Sequence, residues 1–130
     1  MCYDEAAGRS SVVQSDVGVM VSVSQEMIDE MARQIVREVD PQRIVLFGSW
    51  ARGEANERSD VDLLVVERES FGPTRSRRRE AARIWRCLSR FRVSADVLVY
   101  SLGEIAQWKD SSHHVIAQAL KEGKVLYESN

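Results

Sequence analysis

From Met27 onward apolar residues return at helical spacing, at Ile28, Met31, Ile35 and Val39, while Asp29, Arg33 and Arg37 point away. The pattern predicts a surface helix with one buried face. Ser22 or Ser24 supplies an N-cap, Ser22 with Gln25 also fits a capping box, and Asp40-Pro41 ends the helix. Residues 44–47 are continuously apolar and predict a short buried strand, broken at once by Gly48-Ser49. Residues 50–53 read as a brief helical turn and residues 54–59 as a polar loop. The apolar run at 61–66 predicts a second strand, with aspartates at its start.

Gly72-Pro73 marks a turn, and residues 74–90 predict a helix with two faces. Ile84, Trp85, Leu88 and Ala81 gather on an inner side. Arg75, Arg79, Arg83, Arg86 and Arg90 fall within an arc of about 80° on the other. Residues 93–100 predict a third strand with Asp96 in its interior. Residues 102–108 predict a short helix. Ser111 or Ser112 caps a last helix running to Leu120, with Gly123 as its stop, and residues 125–127 close as a short strand. Residues 1–21 carry no sustained period and read as a flexible arm, in which 17–21 could add a strand. The folded domain is therefore expected over 22–130. Its class is α/β or α+β, a small mixed sheet of three to four strands flanked by helices.

Composition narrows the setting. The chain has 130 residues, enough for one hydrophobic core, with 44% hydrophobic and 29% charged residues. Its formal net charge of -2 sets no overall demand for nucleic acid or an anionic membrane. Met1-Cys-Tyr-Asp-Glu5 is acidic where a signal peptide is basic, and no apolar run is long enough to span a bilayer. Cys2 and Cys87 form no metal or redox spacing, so a reducing cytoplasm is the expected location.

The stretch from Gly48 to Asp62 carries the chemistry. Gly48-Ser49 stands where a strand turns into a helix; glycine lets a backbone approach a ligand closely, and exposed N–H groups with the Ser49 hydroxyl favour an anion. Asp60 and Asp62, two apart, share one face of a strand. They read either as a wet strand end, with Asp60 capping the loop beside Ser59, or as hard oxygen ligands for Mg²⁺. Asp96, within an otherwise apolar strand, needs a partner. If its strand lies beside 61–66, three aspartates meet at one sheet edge next to the Gly48-Ser49 turn. That grouping is the plan of a two-metal phosphoryl-transfer site.

Gly-Ser followed ten residues later by Asp-x-Asp resembles the signature of the DNA polymerase beta-like nucleotidyltransferases. The fuller form, Gly48-Ser-x-Ala-Arg-Gly53 then Ser59-Asp-Val-Asp-Leu-Leu-Val65, is similar to the minimal nucleotidyltransferases, or MNT proteins. The resemblance runs from about residue 24 to 128. It implies the polymerase beta-like palm fold, with phosphates held by Gly48 and Ser49. It implies Asp60 and Asp62 as paired metal ligands and Asp96 as the third carboxylate, which helps deprotonate the acceptor. Mg²⁺, as two ions, and ATP or another NTP follow as cofactor and donor. Trp50 stands where the family more often has Arg or a smaller aromatic.

The resemblance also implies a partner, because many MNT proteins pair as antitoxins with a small helical HEPN-domain toxin and add AMP to its tyrosine. The chain lacks the Arg-x4–6-His pattern of the toxin itself. Two alternatives stay open: a nucleotide-binding subunit that neutralises its partner by contact, and transfer to a small hydroxylated compound. A homo- or hetero-oligomer is compatible with all three. Direct nucleic-acid binding is not favoured, since the arginines of 75–90 come without interleaved aromatic or loop motifs. Arg52 reads as a brace for Glu54, Cys87 as a small buried residue, Trp108 as an interface candidate, and His113-His114 as unsuited to sharing a metal.

Overall fold

A computed structural model describes residues 23–56, 59–111 and 114–129. The expectations for the arm at 1–21, for Ser22, for a cap at Ser112 and for Cys2 and His113 lie outside the described residues. Helix α1 (Gln25–Val39) is followed by strand β1 (Arg43–Phe47), the short helix α2 (Ser49–Arg52) and strand β2 (Val61–Glu67). Helix α3 (Arg77–Leu88), strand β3 (Ala95–Ser101), helix α4 (Leu102–Trp108), helix α5 (Val115–Glu122) and strand β4 (Lys124–Glu128) complete the order. The sheet runs β3-β2-β1-β4. β1 pairs antiparallel with β2 and β4, whereas β2 and β3, joined through α3, are parallel. This is the small mixed sheet that the sequence pattern predicts.

Each face of the sheet buries its own cluster. Ile28, Met31 and Ile35 of α1 and Ile84 and Leu88 of α3 pack on Ile44, Leu46, Leu63 and Val65. On the other face Ile105 of α4 and Ile116 and Ala119 of α5 cover Val45, Leu64 and Val66. Burying each such Ile or Leu contributes roughly 1.5–3 kcal/mol. Among the described residues, no helix is long and apolar enough to cross a membrane.

The caps show where sequence reading succeeds and where it slips. The Ser24 hydroxyl accepts the Met27 N–H, and α1 stops as expected, with Asp40 in the left-handed region at φ 47°. Helix α3 starts later than expected, at Arg77, because Ser76 caps it by accepting the Arg79 N–H while the Gly72 turn closes on Arg75. Arg75 is therefore not on the helix. Ser101 and Glu104 form a capping box at α4. His114, rather than Ser111, caps α5, its Nδ1 accepting the Ile116 N–H at 3.1 Å. Its ring also stacks on Trp108, with centroids 4.5 Å apart. Gly123 ends α5 in an extended conformation, and it is needed there for proximity: a Cβ would lie 2.3 Å from Val45 Cγ1 and from the Ala119 carbonyl.

At the C-terminal end of β2, Glu67 is 3% exposed and pairs with Arg75. Arg75 also lies 3.6 Å from Glu80 and over the Phe71 ring. Burial, then the Glu80 carboxyl, push Glu67 from 4.5 up to about 7 against the pull of Arg75. The folded chain thus holds a proton that the unfolded chain releases near 4.5, so this group's contribution is lost as pH rises through that window. Glu67→Gln is expected to flatten the decline in stability between about pH 4.5 and 7, as checked by urea midpoints of both proteins. Parallel pH profiles would refute it.

Candidate active site

The site lies on the sheet face covered by α4 and α5, at the end of β2 and β3 where both strands begin. In the parallel register Asp62 stands opposite Asp96, and in the antiparallel one opposite Phe47. Along each strand the same face continues as Leu64 and Val66, and as Leu98 and Tyr100, into the cluster beneath α4 and α5. The aspartate end is left more open: Asp60 and Asp96 are exposed, and Asp62 is half-buried. Asp96 proves to sit at the start of β3 rather than in a buried interior, so the carboxylate that pays for desolvation is Asp62.

Gly48 closes the site from β1. It has φ 74° and ψ -156°, and a Cβ placed on it would lie 2.1 Å from Asp62 Oδ2. The chain can pass there only because the residue has no side chain. The N–H groups of Ser49 and Trp50 open α2 and have no acceptor within it, whereas Ala51 and Arg52 both donate to the Gly48 carbonyl at 3.1 Å. Gly48, Ser49, Asp62 and Asp96 are thereby brought to one edge. Just before Asp60, the Asn56 N–H donates to the Ser59 hydroxyl at 2.9 Å. Trp50 Nε1 donates to the Ser59 carbonyl at 3.4 Å and ties Ser59 back to α2.

Arg52 braces more than its loop. It donates to Glu54 at 2.8 Å, as expected, and also to Glu122 of α5 at 3.2 Å. The second contact, seventy positions away, carries no sequence signal. The Ser59 contact with the Asn56 N–H does carry one, since serine favours side chain to backbone bonds.

The electrostatics fit a divalent cation. Burial first, then Asp96 and Asp60, raise the Asp62 carboxyl above its usual 3.8, with Arg52 pulling the other way. A cation would relieve this repulsion, and the donors are hard oxygens of the kind Mg²⁺ takes. Among the described residues no three His, Cys, Asp or Glu side chains close into a metal-holding group. The aspartates instead line an open edge. That suits an ion that keeps its waters and shares its coordination with substrate phosphates. A groove of about 520 Å³ between α1 and β4, lined by Asp29, Arg33 and Arg37 as well as Ala32, Val36, Leu126 and Tyr127, lies on the other face and brings no second carboxylate beside Asp29.

Comparison with known proteins agrees with this geometry. The family described as Polymerase beta, Nucleotidyltransferase matches residues 27–130, and the chain belongs to it. The Methanocaldococcus jannaschii protein MJ0141, whose name marks it as a candidate protein adenylyltransferase, is 40% identical over 57 residues. Those residues are 44% of this chain and 52% of that protein, so the match spans about half of the curated relative. Among solved structures, a toxin–antitoxin crystallised with AMP-PNP superposes with a TM-score of 0.52 at 20% identity, over 78% of this chain and 74% of that one. A chain from the complex of tri-AMPylated Shewanella oneidensis HEPN toxin with MNT antitoxin gives 0.50 at 18% identity, over 82% and 74%. These likenesses establish the fold, a polymerase beta-like nucleotidyltransferase architecture.

Proposed function

We propose that the chain is an Mg²⁺-dependent adenylyltransferase that moves AMP from ATP to a tyrosine hydroxyl of a HEPN-domain toxin and so acts as its antitoxin. The observation that carries the reading is the placement of Asp62 opposite Asp96, two residues from Asp60 and against the Gly48-Ser49 turn. Support for the acceptor comes from the names of the similar proteins, a candidate protein adenylyltransferase and an AMPylated HEPN toxin bound to an MNT antitoxin.

The residues divide the work by position. The N–H groups of Ser49 and Trp50, which open α2, hold the donor's phosphates together with the Ser49 hydroxyl. Asp60, Asp62 and Asp96 would hold Mg²⁺, which would screen the triphosphate's charge and favour in-line displacement. Asp96, the exposed carboxylate on the edge strand, takes the proton from the acceptor hydroxyl. The acceptor oxygen bonds to the α-phosphorus, the bond to the bridging oxygen breaks, and pyrophosphate leaves. Trp50 stays with Ser59 and keeps the aspartate loop closed on the turn.

The test is transfer of label from α-phosphate-labelled ATP to the HEPN-domain protein of the same genome. The intact chain is compared with Asp60→Asn/Asp62→Asn. Label on a partner tyrosine, made by the intact chain alone, is the expected result. A partner that is neutralised but never labelled would replace this reading with neutralisation by contact.

A further inference from the structure

Of the 18 basic residues eight, all arginines, lie between residues 72 and 92, with one of the 20 acidic residues, Glu80. The structure sorts these arginines into two sets. Arg75 is tied to Glu67, Glu69 and Glu80. Arg77 donates to the Val99 carbonyl, pairs with Glu104 and lies over the Tyr100 ring. Arg83 pairs with Glu38 of α1. Those three brace the fold. Arg78, Arg79, Arg86, Arg90 and Arg92 are exposed, and none has an ion-pair partner among the described residues.

The free set surrounds a tryptophan. Trp85 was expected in the core beside Ile84, yet Ile84 is fully buried and Trp85 is 45% exposed. At 3.6 residues per turn, Trp85, Arg78, Arg86 and Arg79 fall within about 120° of the α3 surface, while Arg90 and Arg92 follow in the turn that leads to β3. Arg78, Arg79 and Arg86, unpaired among the described residues, share this surface with an exposed indole and leave repulsion and apolar surface unanswered there. Tryptophan and arginine are the residue types that dominate the energetic centres of protein interfaces.

We infer that the outer face of α3 is a docking surface for an acidic protein face, one with carboxylates around an apolar cleft that takes Trp85. Charge complementarity requires an anionic partner. The form of the patch favours protein over nucleic acid: single-strand binders combine a basic groove with several stacking aromatics, whereas this is a convex helix with one. Because α3 covers the sheet face opposite the aspartates, docking here leaves the catalytic edge free. Binding and transfer are then separable properties of the chain.

The inference rests on the proposed function in taking the HEPN-domain protein as the partner. The test measures its affinity for the intact chain, for Arg78→Glu/Arg86→Glu, for Trp85→Ala and for Asp62→Asn, with melting curves confirming that each is folded. The first two variants should weaken binding at least about tenfold, with a shallower salt dependence for the charge reversal. Asp62→Asn and a control, Arg37→Glu on α1, should bind as the intact chain does. Unchanged binding by both α3 variants, with the tyrosine still labelled by the intact chain, would overturn the docking surface and spare the proposed function. Failure of the intact chain to bind or label the HEPN protein would overturn both. Reversal-sensitive binding of a short single-stranded RNA, without protein binding, would replace the acidic protein with RNA.

Discussion

Replacing Asp62 with asparagine is expected to lower transfer by at least about a thousandfold and to make the folded chain more stable. Both effects follow from one placement. Asp62 is half-buried on a central strand, with Asp96 opposite and Asp60 two residues back, and among the described residues Arg52 alone acts in its favour. Its carboxyl is raised above 3.8, so near neutral pH the folded chain carries an ionised group that the fold disfavours. That cost appears as pH rises through the window above 3.8 and is absent below it. Asparagine keeps the shape and removes the charge. The asparagine variant should therefore melt higher than the intact chain near neutral pH, with the difference gone near pH 3. The lost transfer reflects several kcal/mol of charge stabilisation no longer assembled at the site, ~4 kcal/mol for a thousandfold. A variant inactive through misfolding would melt lower instead. Retained activity in a less stable protein would reject the site assignment.

The candidate site was legible because the residues it groups are largely local. Gly48, Ser49, Asp60 and Asp62 lie within one strand, turn and strand, and neighbouring positions constrain them before any tertiary contact forms. Asp96 could be placed beside them only by supposing that its strand neighbours 61–66. The parallel pairing through α3 makes that true and also makes β3 an edge strand, which is why Asp96 is exposed rather than buried. What the sequence hides is orientation and long-range pairing. Ile84 and Trp85 are adjacent, yet the 100° step between them carries one into the core and the other to the surface. The arginine stripe reads as one face until the Gly72 turn removes Arg75 from the helix and Glu38 claims Arg83. The sequence points to serine as the cap of α5 because hydroxyls are the usual acceptors there. The His114 ring does the same work, held in place by its stack on Trp108.

Gly48→Ala tests whether the phosphate turn and the aspartates form one unit. The backbone at Gly48, φ 74° and ψ -156°, lies where residues with a side chain are strained by about 1–3 kcal/mol. The new methyl would also stand 2.1 Å from Asp62 Oδ2 and 3.0 Å from its Cγ. The contact is with a short side chain on a central strand, so the carboxylate must turn away from the position shared with Asp96. The single substitution is therefore expected to cost about 2–4 kcal/mol in urea denaturation and more than a hundredfold in transfer. The two sources of cost separate in a double-mutant cycle. With Asp62→Ala in place the Oδ2 and Cγ contacts are gone while the backbone strain remains, so adding Gly48→Ala should cost less by about 1–2 kcal/mol. Equal costs in the two backgrounds would mean that the methyl never meets Asp62. The turn and the carboxylates would then have to be treated as separate structures, and the close approach of Gly48 would lose its place in the argument for a phosphoryl-transfer site.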